Sequence, residues 1–506
     1  MPVPPPLLMC PPRFFMPWSR RAPLALAGLL LPAMLSAEAV RVRTGKIAEV
    51  YKQYCASCHG DQMQGASAPS MLDDIWLNGG DDDSLARSIR NGFPERGMPA
   101  WGALIPEKEI RAMVIYMREM RARHDSGQLK FAEPKDSFVA PSLLHAYQVN
   151  PWLDGVNEPW SMAFLPDGGA LVTEKRGRLL RVGADRKVAG RVEGLPEIDN
   201  DGQAGLFDVL LHPRYAENGW VYLAFSDLKR NKDNQKVSIT RVIRGRLKGL
   251  QFVDQETIFA AKIEHYRKEG GVHFGGRLAF DREGYLFFTI GDRGAMADAQ
   301  NITRPNGKVH RVHDDGRIPA DNPFVAEPGA VPSIWSFGHR NPQGLAFHPE
   351  TGQLFDSEHG PRGGDELNLV RRGDNYGWPV ISYGMNYDGS TLTPLTAKEG
   401  MEQPVVYWVP SIAVCGINFY SGSEFPRWRN NLFIASLAAQ ELRRLEIVDG
   451  KVAYQEIIFK NLGRIRHVIT GPDGALYVLL QSRIVRVSAA PDKVASHSGP
   501  VPSTKG

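Results

Sequence analysis

The chain has 506 residues, of which 42% are apolar and 51 are glycine, so it is long enough for more than one domain and apolar enough for sizeable cores. The formal net charge is only +4, and Lys and Arg are scattered rather than gathered in long runs, so no nucleic-acid partner is indicated. We expect two domains plus processed segments.

The N-terminal segment has the layout of an export signal. Ser19-Arg20-Arg21 precedes a short apolar run, Ala22 to Leu35, which ends at Ser36-Ala37-Glu38-Ala39. The run is too short and too rich in proline for a comfortable membrane span. We predict a signal peptide over residues 1–39, starting at Met1 or Met16, and a periplasmic or secreted protein with no transmembrane span after cleavage. An uncleaved anchor is the alternative.

Of the four cysteines, Cys10 leaves with the signal and Cys415 stands alone. The other two form Cys55-Ala56-Ser57-Cys58-His59. Such a pair could form a disulfide or half of a zinc site, but no second pair is available and His59 follows at once. We interpret the motif as covalent attachment of one c-type haem through Cys55 and Cys58, with His59 as an axial ligand of the iron.

The flanks of this motif fit a cytochrome c domain. Apolar residues at helical spacing run from Ile47 to Tyr54, and a second stripe, Ile110 to Met117, follows Pro106-Glu107. The Gly97-Met98-Pro99-Ala100-Trp101 turn resembles the distal-ligand loop of class I cytochromes c, which implies Met98 as the second iron ligand. Met63 and Met71 are alternatives. We predict an all-α cytochrome c domain over residues 40–121, then a polar linker over residues 122–145.

After the linker, a short motif of strand, tight turn and strand recurs six times. The turns lie at 165–171, 211–222, 280–286, 347–354, 425–434 and 471–477. Repeated hairpins at such intervals indicate a β-propeller with one four-stranded sheet per blade. We predict an all-β six-bladed propeller over residues 146–489 and a disordered tail over residues 490–506. Eight blades or a sandwich are the alternatives.

Polar clusters lie at equivalent ends of these repeats. They include Asp201 to Leu206, His273 to Leu278, Gly338 to Gly344 and Arg464-Ile465-Arg466. Three arginines that converge on one channel would repel each other unless an anion lay between them, and guanidinium groups match carboxylates. The pattern predicts a small polyanionic ligand.

Three motifs carry a family resemblance: His339 to Gly344, the Gly360-Pro361 turn and Asp374 to Pro379. Together they resemble the soluble aldose sugar dehydrogenases that use pyrroloquinoline quinone (PQQ), the glucose/sorbosone dehydrogenase family. The resemblance implies that His273 is the catalytic base and that Gln203 contacts the sugar. It implies that PQQ is held by Arg340, Asn341, Ser411, Arg464 and Arg466. It further implies a Ca²⁺ ion at the carbonyl groups of Gly360 and Pro361, supported by Asp365 through solvent.

The implied reaction is oxidation of an aldose at C1 to a lactone, with the electrons passing to the fused haem and then to a cytochrome or another respiratory-chain acceptor. Two positions depart from glucose-oxidising members. Ala438 stands where those have a quinone-binding Lys, and Val272 where they have Asp, so narrow glucose selectivity is not expected. Alternatives are a dehydrogenase of sorbosone or of another aldehyde or alcohol, a non-catalytic binding propeller beside a separate electron carrier, and a calcium-dependent hydrolase or lactonase.

Overall fold

A computed structural model describes residues 47–490, except 64–67, 69, 73–75, 77, 95–97, 127, 130–136 and 269. The predicted signal peptide and nearly all of the predicted tail lie outside the described residues. Within the part that is described, no helix combines the length and the apolar character needed to cross a lipid bilayer.

Residues 47–129 form a small helical domain. Its helices are α1 (Ile47–Tyr54), α2 (Ala56–His59), α3 (Asp82–Asn91) and α4 (Glu107–Asp125). The apolar stripe before the cysteine pair forms α1, and the stripe behind Pro106 forms α4, as predicted. The two stripes bury residues such as Tyr51 and Met113 in one core, which also includes Met63.

Helix α3 is an addition to the two predicted helices. Its first turn is capped by Asp81, whose side chain accepts a hydrogen bond from the Ser84 N–H at 2.8 Å. Only Ser84, Leu85 and Ile89 of its ten residues are buried, so its apolar face is small. The cap and the acidic first turn were the stronger signals of a helix here.

The predicted linker is partly structured at both ends. Helix α4 continues to Asp125, and strand β1 (Phe138–Pro141) pairs antiparallel with β2 (Ala146–Asp154). The Phe138 ring packs against Phe459 with the ring centroids 6.4 Å apart. This contact is distant in sequence, so local composition could not indicate that the segment joins a sheet.

Six sheets follow, and each is one blade of a propeller. Blade 1 contains β3 (Pro159–Phe164), β4 (Ala170–Glu174), β5 (Arg178–Val182) and β6 (Val188–Val192). Blade 2 contains β7 (Leu206–Leu211), β8 (Val221–Arg230), β9 (Lys236–Lys248), β10 (Gln251–Phe259) and the short β11 (Arg267–Lys268), with helix α5 (Tyr215–Asn218) in its first hairpin. Blade 3 contains β12 (Leu278–Phe280), β13 (Leu286–Ile290), β14 (Lys308–Val312) and β15 (Ile334–Phe337).

The remaining blades complete the ring. Blade 4 contains β16 (Pro342–Phe347), β17 (Leu354–Glu358), β18 (Asp365–Val370) and β19 (Val406–Trp408). Blade 5 contains β20 (Val414–Phe419), β21 (Leu432–Ser436), β22 (Glu441–Val448) and β23 (Lys451–Lys460). Blade 6 joins β24 (His467–Thr470), β25 (Leu476–Leu479) and β26 (Arg483–Ala489) to β2 and β1, so both ends of the propeller chain share one sheet.

The six-bladed prediction is confirmed, and the six recurring turns are the hairpins between the first and second strands of the blades. The first strands β3, β7, β12, β16, β20 and β24 contact one another in that order and close on β3. Apolar side chains fill the spaces between neighbouring blades; Val172 of blade 1 and Leu479 of blade 6, for example, belong to one buried cluster. The inner strands therefore surround a central channel.

Candidate active site

The predicted site residues of five blades lie just before the first strand of their blade. They are Gln203, His273, Arg340, Ser411 and Arg466, before β7, β12, β16, β20 and β24 respectively. Since the six blades repeat the same strand order, these segments meet at one end of the ring. The Gly360-Pro361 turn between β17 and β18 opens on the same end, because β17 runs antiparallel to β16.

His273 is held by a buried carboxylate. Its Nδ1 lies 2.6 Å from Asp292 Oδ1, and the other Asp292 oxygen accepts the Trp378 indole N–H at 2.7 Å. Burial and the nearby Arg340 lower the pKa of His273, while Asp292 opposes that shift. The imidazole is therefore neutral near pH 7, as a general base must be.

The backbone at His273 adopts φ +56°, a conformation that residues other than glycine seldom take. Gln203 supports this conformation, since its Oε1 accepts the His273 backbone N–H at 2.9 Å. Non-glycine residues in this region cluster at functional sites, where the surrounding structure holds them in place. Gln203 is an exposed residue next to the predicted base, which suits a side chain expected to contact the substrate.

The three predicted arginines converge on one half-buried imidazole, that of His359. Burial lowers the pKa of His359 well below its usual value, and Arg466, Arg340, His273 and Arg464 lower it further. Burial and Arg466 also lower the pKa of Arg464, to about 10. Positive charges thus surround His359 from several blades.

Two of the arginines are held by hydrogen bonds to their neighbours, and Arg340 also has an unpaired donor. Arg340 Nη1 donates to the His359 carbonyl at 2.9 Å, and Arg466 Nη1 donates to Gln343 Oε1 at 2.8 Å. Arg340 Nε and His359 Nε2 are buried without a hydrogen-bond partner among the described residues. Buried polar groups without partners are rare, so these atoms point to an acceptor that a ligand would supply.

Asn341 ties two segments of the site together. Its Oδ1 accepts the Gly275 N–H at 3.1 Å, and its carbonyl accepts the His359 N–H at 3.2 Å. Asn341 therefore links the segment that carries His273 to the segment that carries His359.

The Gly360-Pro361 turn lines a small cavity together with Arg340, Glu358, Glu366 and Trp378. Asp365 holds this turn, because its Oδ1 accepts the Gly360 N–H at 2.9 Å and its Oδ2 accepts the Val414 N–H at 3.2 Å. Burial raises the pKa of Asp365, and a hydrogen bond from Ser411 opposes the rise. Asp365 and Ser411 thus join blades 4 and 5 beside the predicted cation site.

Four residues of the site were not among the predicted ones: Asp292, His359, Glu366 and Trp378. Burial and the neighbouring Glu358 raise the pKa of Glu366 well above its usual value. Trp378 lies within the Asp374 to Pro379 motif, and His359 directly precedes the Gly360-Pro361 turn, but a single His is usually structural. Asp292 directly follows the buried strand β13 in Gly291-Asp292-Arg293-Gly294, and a polar residue at that position was the available signal.

The two departures from the glucose-oxidising pattern also lie near this end of the ring. Ala438 is exposed, and its N–H donates to the Ile412 carbonyl at 3.1 Å, so it lies beside the Ser411 segment in space. Val272 precedes the predicted base, and its carbonyl accepts a hydrogen bond from Arg293. Neither side chain contributes a charge to the site.

The haem motif lies on the helical domain, close to the arginines. Cys55 and Cys58 flank the start of α2, and the partly buried Met98 packs against the same core as Cys55. The Arg362 guanidinium lies 5.8 Å from the centre of the Tyr54 ring on α1. Cys58 is also among the groups that influence the pKa of Arg464, although burial and Arg466 dominate that pKa. These contacts bring the cysteine motif beside the arginine cluster.

A profile of the Glucose / Sorbosone dehydrogenase family matches residues 156–487. The chain belongs to this family. Residues 43–117 match the profile described as Cytochrome C oxidase, cbb3-type, subunit III, so the glucose/sorbosone dehydrogenase domain is fused to a cytochrome c domain. The prediction of an oxidoreductase of this family with an N-terminal cytochrome c domain is confirmed.

Three relatives place the chain within this family. Aldose sugar dehydrogenase YliI of Escherichia coli (strain K12) is 41% identical over 332 residues, which cover 64% of this chain and 88% of that protein. The apo crystal structure of the soluble aldose sugar dehydrogenase Asd from Escherichia coli is 38% identical, with a TM-score of 0.63, over 68% of this chain and all (100%) of that one. The PQQ-bound aldose sugar dehydrogenase Adh from Streptomyces coelicolor is 26% identical, with a TM-score of 0.56, over 71% of this chain and all (100%) of that one.

Proposed function

We propose that the protein is an exported quinohaemoprotein, periplasmic or secreted, that oxidises aldose sugars at C1 to lactones with PQQ and passes the electrons to its own covalent haem. The observation that carries this proposal is that an arginine cluster and a candidate general base lie side by side at one end of the channel. Three arginines surround His359, one of them with an unpaired donor, Arg340 Nε, and a neutral His273 held by Asp292 lies beside them.

The arginine cluster fits PQQ, which is a planar tricarboxylate. Arg340, Arg464 and Arg466 would neutralise its carboxylates, and the unpaired Arg340 Nε is a donor available to them. Asn341 and Ser411 flank the same space. When bound, PQQ supplies the carbonyl carbon that accepts hydride from the sugar and then releases the electrons singly.

The Gly360-Pro361 turn fits Ca²⁺, a hard cation that prefers oxygen ligands. The two backbone carbonyls would hold the ion, and Asp365 keeps the turn in place through the Gly360 N–H. Glu366 adds a carboxylate to the lining of the same cavity. A calcium ion there supplies Lewis-acid polarisation of the cofactor.

His273 moves the proton. Its Nδ1 is committed to Asp292 at 2.6 Å, which leaves Nε2 as the basic nitrogen that accepts the proton of the sugar C1 hydroxyl. Asp292 fixes the orientation of the ring and stabilises the imidazolium that forms. Gln203, which is hydrogen-bonded to the His273 backbone, is placed to contact the sugar.

The haem would be attached through Cys55 and Cys58, with His59 and Met98 as axial ligands of the iron. Haem held by these residues would supply one-electron redox chemistry, with a downstream cytochrome or respiratory-chain component as the proposed acceptor. The influence of Cys58 on Arg464 and the approach of Arg362 to Tyr54 support direct transfer within one chain. The tether also maintains a high local concentration of the acceptor.

The substrate range follows from Val272 and Ala438, which carry no charge. We propose broad acceptance of aldoses rather than selectivity for glucose. The alternative substrate is sorbosone or another aldehyde or alcohol. This alternative stays open because an apolar residue at position 272 removes a polar contact that would discriminate between sugar hydroxyls.

The test is anaerobic. Holoprotein with haem attached is loaded with Ca²⁺ and PQQ, mixed with a panel of aldoses, aldehydes and alcohols, and followed by haem absorption. Reduction that requires PQQ, Ca²⁺ and an aldose, together with lactone as the product, would support the proposal. If only aldehydes or alcohols reduce the haem, the alternative substrate class is supported instead. If the protein does not bind PQQ, the proposal is overturned.

A further inference from the structure

A second cluster of ligand-type side chains lies beside the quinone site, and of its members only Glu358 also lines the Gly360-Pro361 cavity. His339 lies between β15 and β16, Asp356 and Glu358 lie on β17, and Asn368 lies on β18 directly opposite Asp356. All four are almost completely buried, with exposures of 0%, 0%, 4% and 1%. The site was not predicted, because its members are distributed over three segments.

The spacing of the cluster is that of metal ligands rather than of tight ion pairs. His339 Nδ1 lies 3.3 Å from Glu358 Oε1 and 3.4 Å from Asp356 Oδ2. A charge-assisted hydrogen bond between these groups would be about 2.7–2.9 Å. A tetrahedral ion with bonds of about 2.0–2.1 Å separates its ligand atoms by about 3.3–3.4 Å, which matches both distances.

Unpaired oxygens belong to two residues of the cluster. Neither carboxylate oxygen of Asp356 has a hydrogen-bond partner among the described residues, and the same is true of Asn368 Oδ1. Asn368 Nδ2 donates to Glu358 Oε1 at 3.0 Å, so the amide lies within the cluster. Buried acceptors without donors destabilise a fold unless a cation or a proton satisfies them.

The imidazole is oriented as a metal ligand would be. Its Nε2 lies 2.9 Å from the Ser336 hydroxyl, and the ring stacks on Tyr376 with the centroids 4.6 Å apart. An Nε2–H donated to Ser336 leaves the lone pair of Nδ1 facing the two carboxylates. Such an outer hydrogen bond is the usual companion of a metal-bound histidine.

We propose that His339 Nδ1, Asp356, Glu358 and Asn368 Oδ1 bind a divalent cation of the zinc class. One imidazole nitrogen with oxygen donors at tetrahedral spacing suits Zn²⁺ and is a poor match for Ca²⁺, which takes six to eight oxygen ligands. The site is separate from the carbonyl groups of Gly360 and Pro361. A proton on His339 is the competing occupant, since the two carboxylates raise the pKa of His339 to about 9 although burial opposes the rise.

The cation would hold the Arg340 segment of the quinone site in place. Glu358 Oε2 accepts the Arg340 backbone N–H at 2.5 Å, so the carboxylate that binds the metal also positions the predicted quinone-binding arginine. His339 is the residue directly before Arg340. The metal would therefore tie the Arg340-Asn341 segment to β17 whether or not the chain oxidises sugars.

The test measures zinc alone. Full-length protein with haem attached and saturating Ca²⁺ is dialysed against a zinc buffer, and bound zinc is counted by mass spectrometry for wild type, Asp356→Asn and Asp281→Asn. Asp281 is a turn carboxylate in blade 3 and serves as the matched control. We expect one zinc more per chain in wild type and Asp281→Asn than in Asp356→Asn. Near-ultraviolet circular dichroism verifies the fold of each variant.

X-ray absorption at the zinc edge of the wild-type protein gives a second measurement that needs no variant. The proposal expects one imidazole nitrogen with oxygen neighbours at about 2.0–2.2 Å and no sulfur. Sulfur neighbours would assign the bound zinc to cysteine and overturn the proposal. Equal zinc content in wild type and a folded Asp356→Asn would also overturn it, and the cluster would then be an ion pair closed by a proton.

Discussion

The candidate site residues of the helical domain are mostly close together in the sequence, whereas those of the propeller are far apart. In the helical domain, the predicted haem attachment takes five consecutive residues, Cys55 to His59, on one short helix. In the propeller, the candidate site draws on residues from Gln203 to Arg466, which come together only when the ring closes. The comparison shows that one site can be recognised from local chemistry, whereas the other depends on a repeated topology.

The helical domain and the propeller are in contact with each other. The cysteine motif approaches the arginine cluster through Arg464, and α1 approaches the Gly360-Pro361 turn through Arg362. Each region should nevertheless keep its own chemistry when the other is disabled. Single substitutions in each region can test that separation.

The largest effect is expected for Cys58→Ser. The change removes one thioether anchor, so covalent haem with two linkages is lost and haem reduction by sugar is abolished, while oxidation of sugar with an artificial acceptor continues. Haem staining of denatured protein and an acceptor-dye assay measure the two outcomes. Cys415→Ser is the matched control and should retain haem, because Cys415 is buried in the propeller. Loss of dye-coupled activity in a folded Cys58→Ser protein would show that the regions are not separable.

His273→Ala should leave haem and quinone binding intact but lower kcat for sugar oxidation by about 10²–10⁴-fold, the usual contribution of a general base. Stopped-flow measurement of haem reduction gives the rate, and dithionite verifies that the haem remains reducible. His313→Ala, in a turn of blade 3, is the control and should match wild type. A reduction of kcat of less than tenfold would assign the base to another group.

Arg466→Ala should weaken PQQ binding by about 10–100-fold, which corresponds to the loss of one charged hydrogen bond of about 1.5–3 kcal/mol. Titration of the apoprotein with PQQ, followed by fluorescence, measures the change. Arg317→Ala is the control, since Arg317 is exposed and paired with Asp315. Unchanged PQQ affinity would remove Arg466 from the cofactor site.

The smallest expected effect is a loss of stability of the propeller at acidic pH. Burial lowers the pKa of His310 to about 3, so the folded propeller holds this residue neutral. The unfolded chain binds a proton below pH 6.5 that the folded chain does not, so stability falls as pH decreases from 6.5 toward 3. At pH 5 the loss from this one residue is about 2 kcal/mol.

Urea unfolding at pH 7 and pH 5, monitored by near-ultraviolet circular dichroism for the propeller and haem absorption for the helical domain, tests this prediction. The propeller transition should move to lower urea at pH 5. His310→Gln should reduce that shift, since it removes the titrating group while retaining a side-chain donor and acceptor. An equal shift in His310→Gln would attribute the acid sensitivity to other groups.

The fold was predictable where its signals are local. The six hairpin turns and the two amphipathic stripes depend on residues a few positions apart, so they identified the blades, α1 and α4. Helix α3 buries only two apolar side chains, Leu85 and Ile89, and β1 joins a sheet through a distant contact with Phe459. Those two elements required the tertiary structure.

The residue types of the candidate site could be read from the sequence: the predicted base, the three arginines, the Gly-Pro turn and the Cys-x-x-Cys-His motif. The neighbours that hold these residues were not readable from it. Asp292 orients His273, Glu358 holds Arg340, and Asp365 anchors the Gly360-Pro361 turn. The physical reason is that pKa shifts and hydrogen bonds depend on distances of a few ångströms between different strands, and those distances are set only when six blades close into a ring.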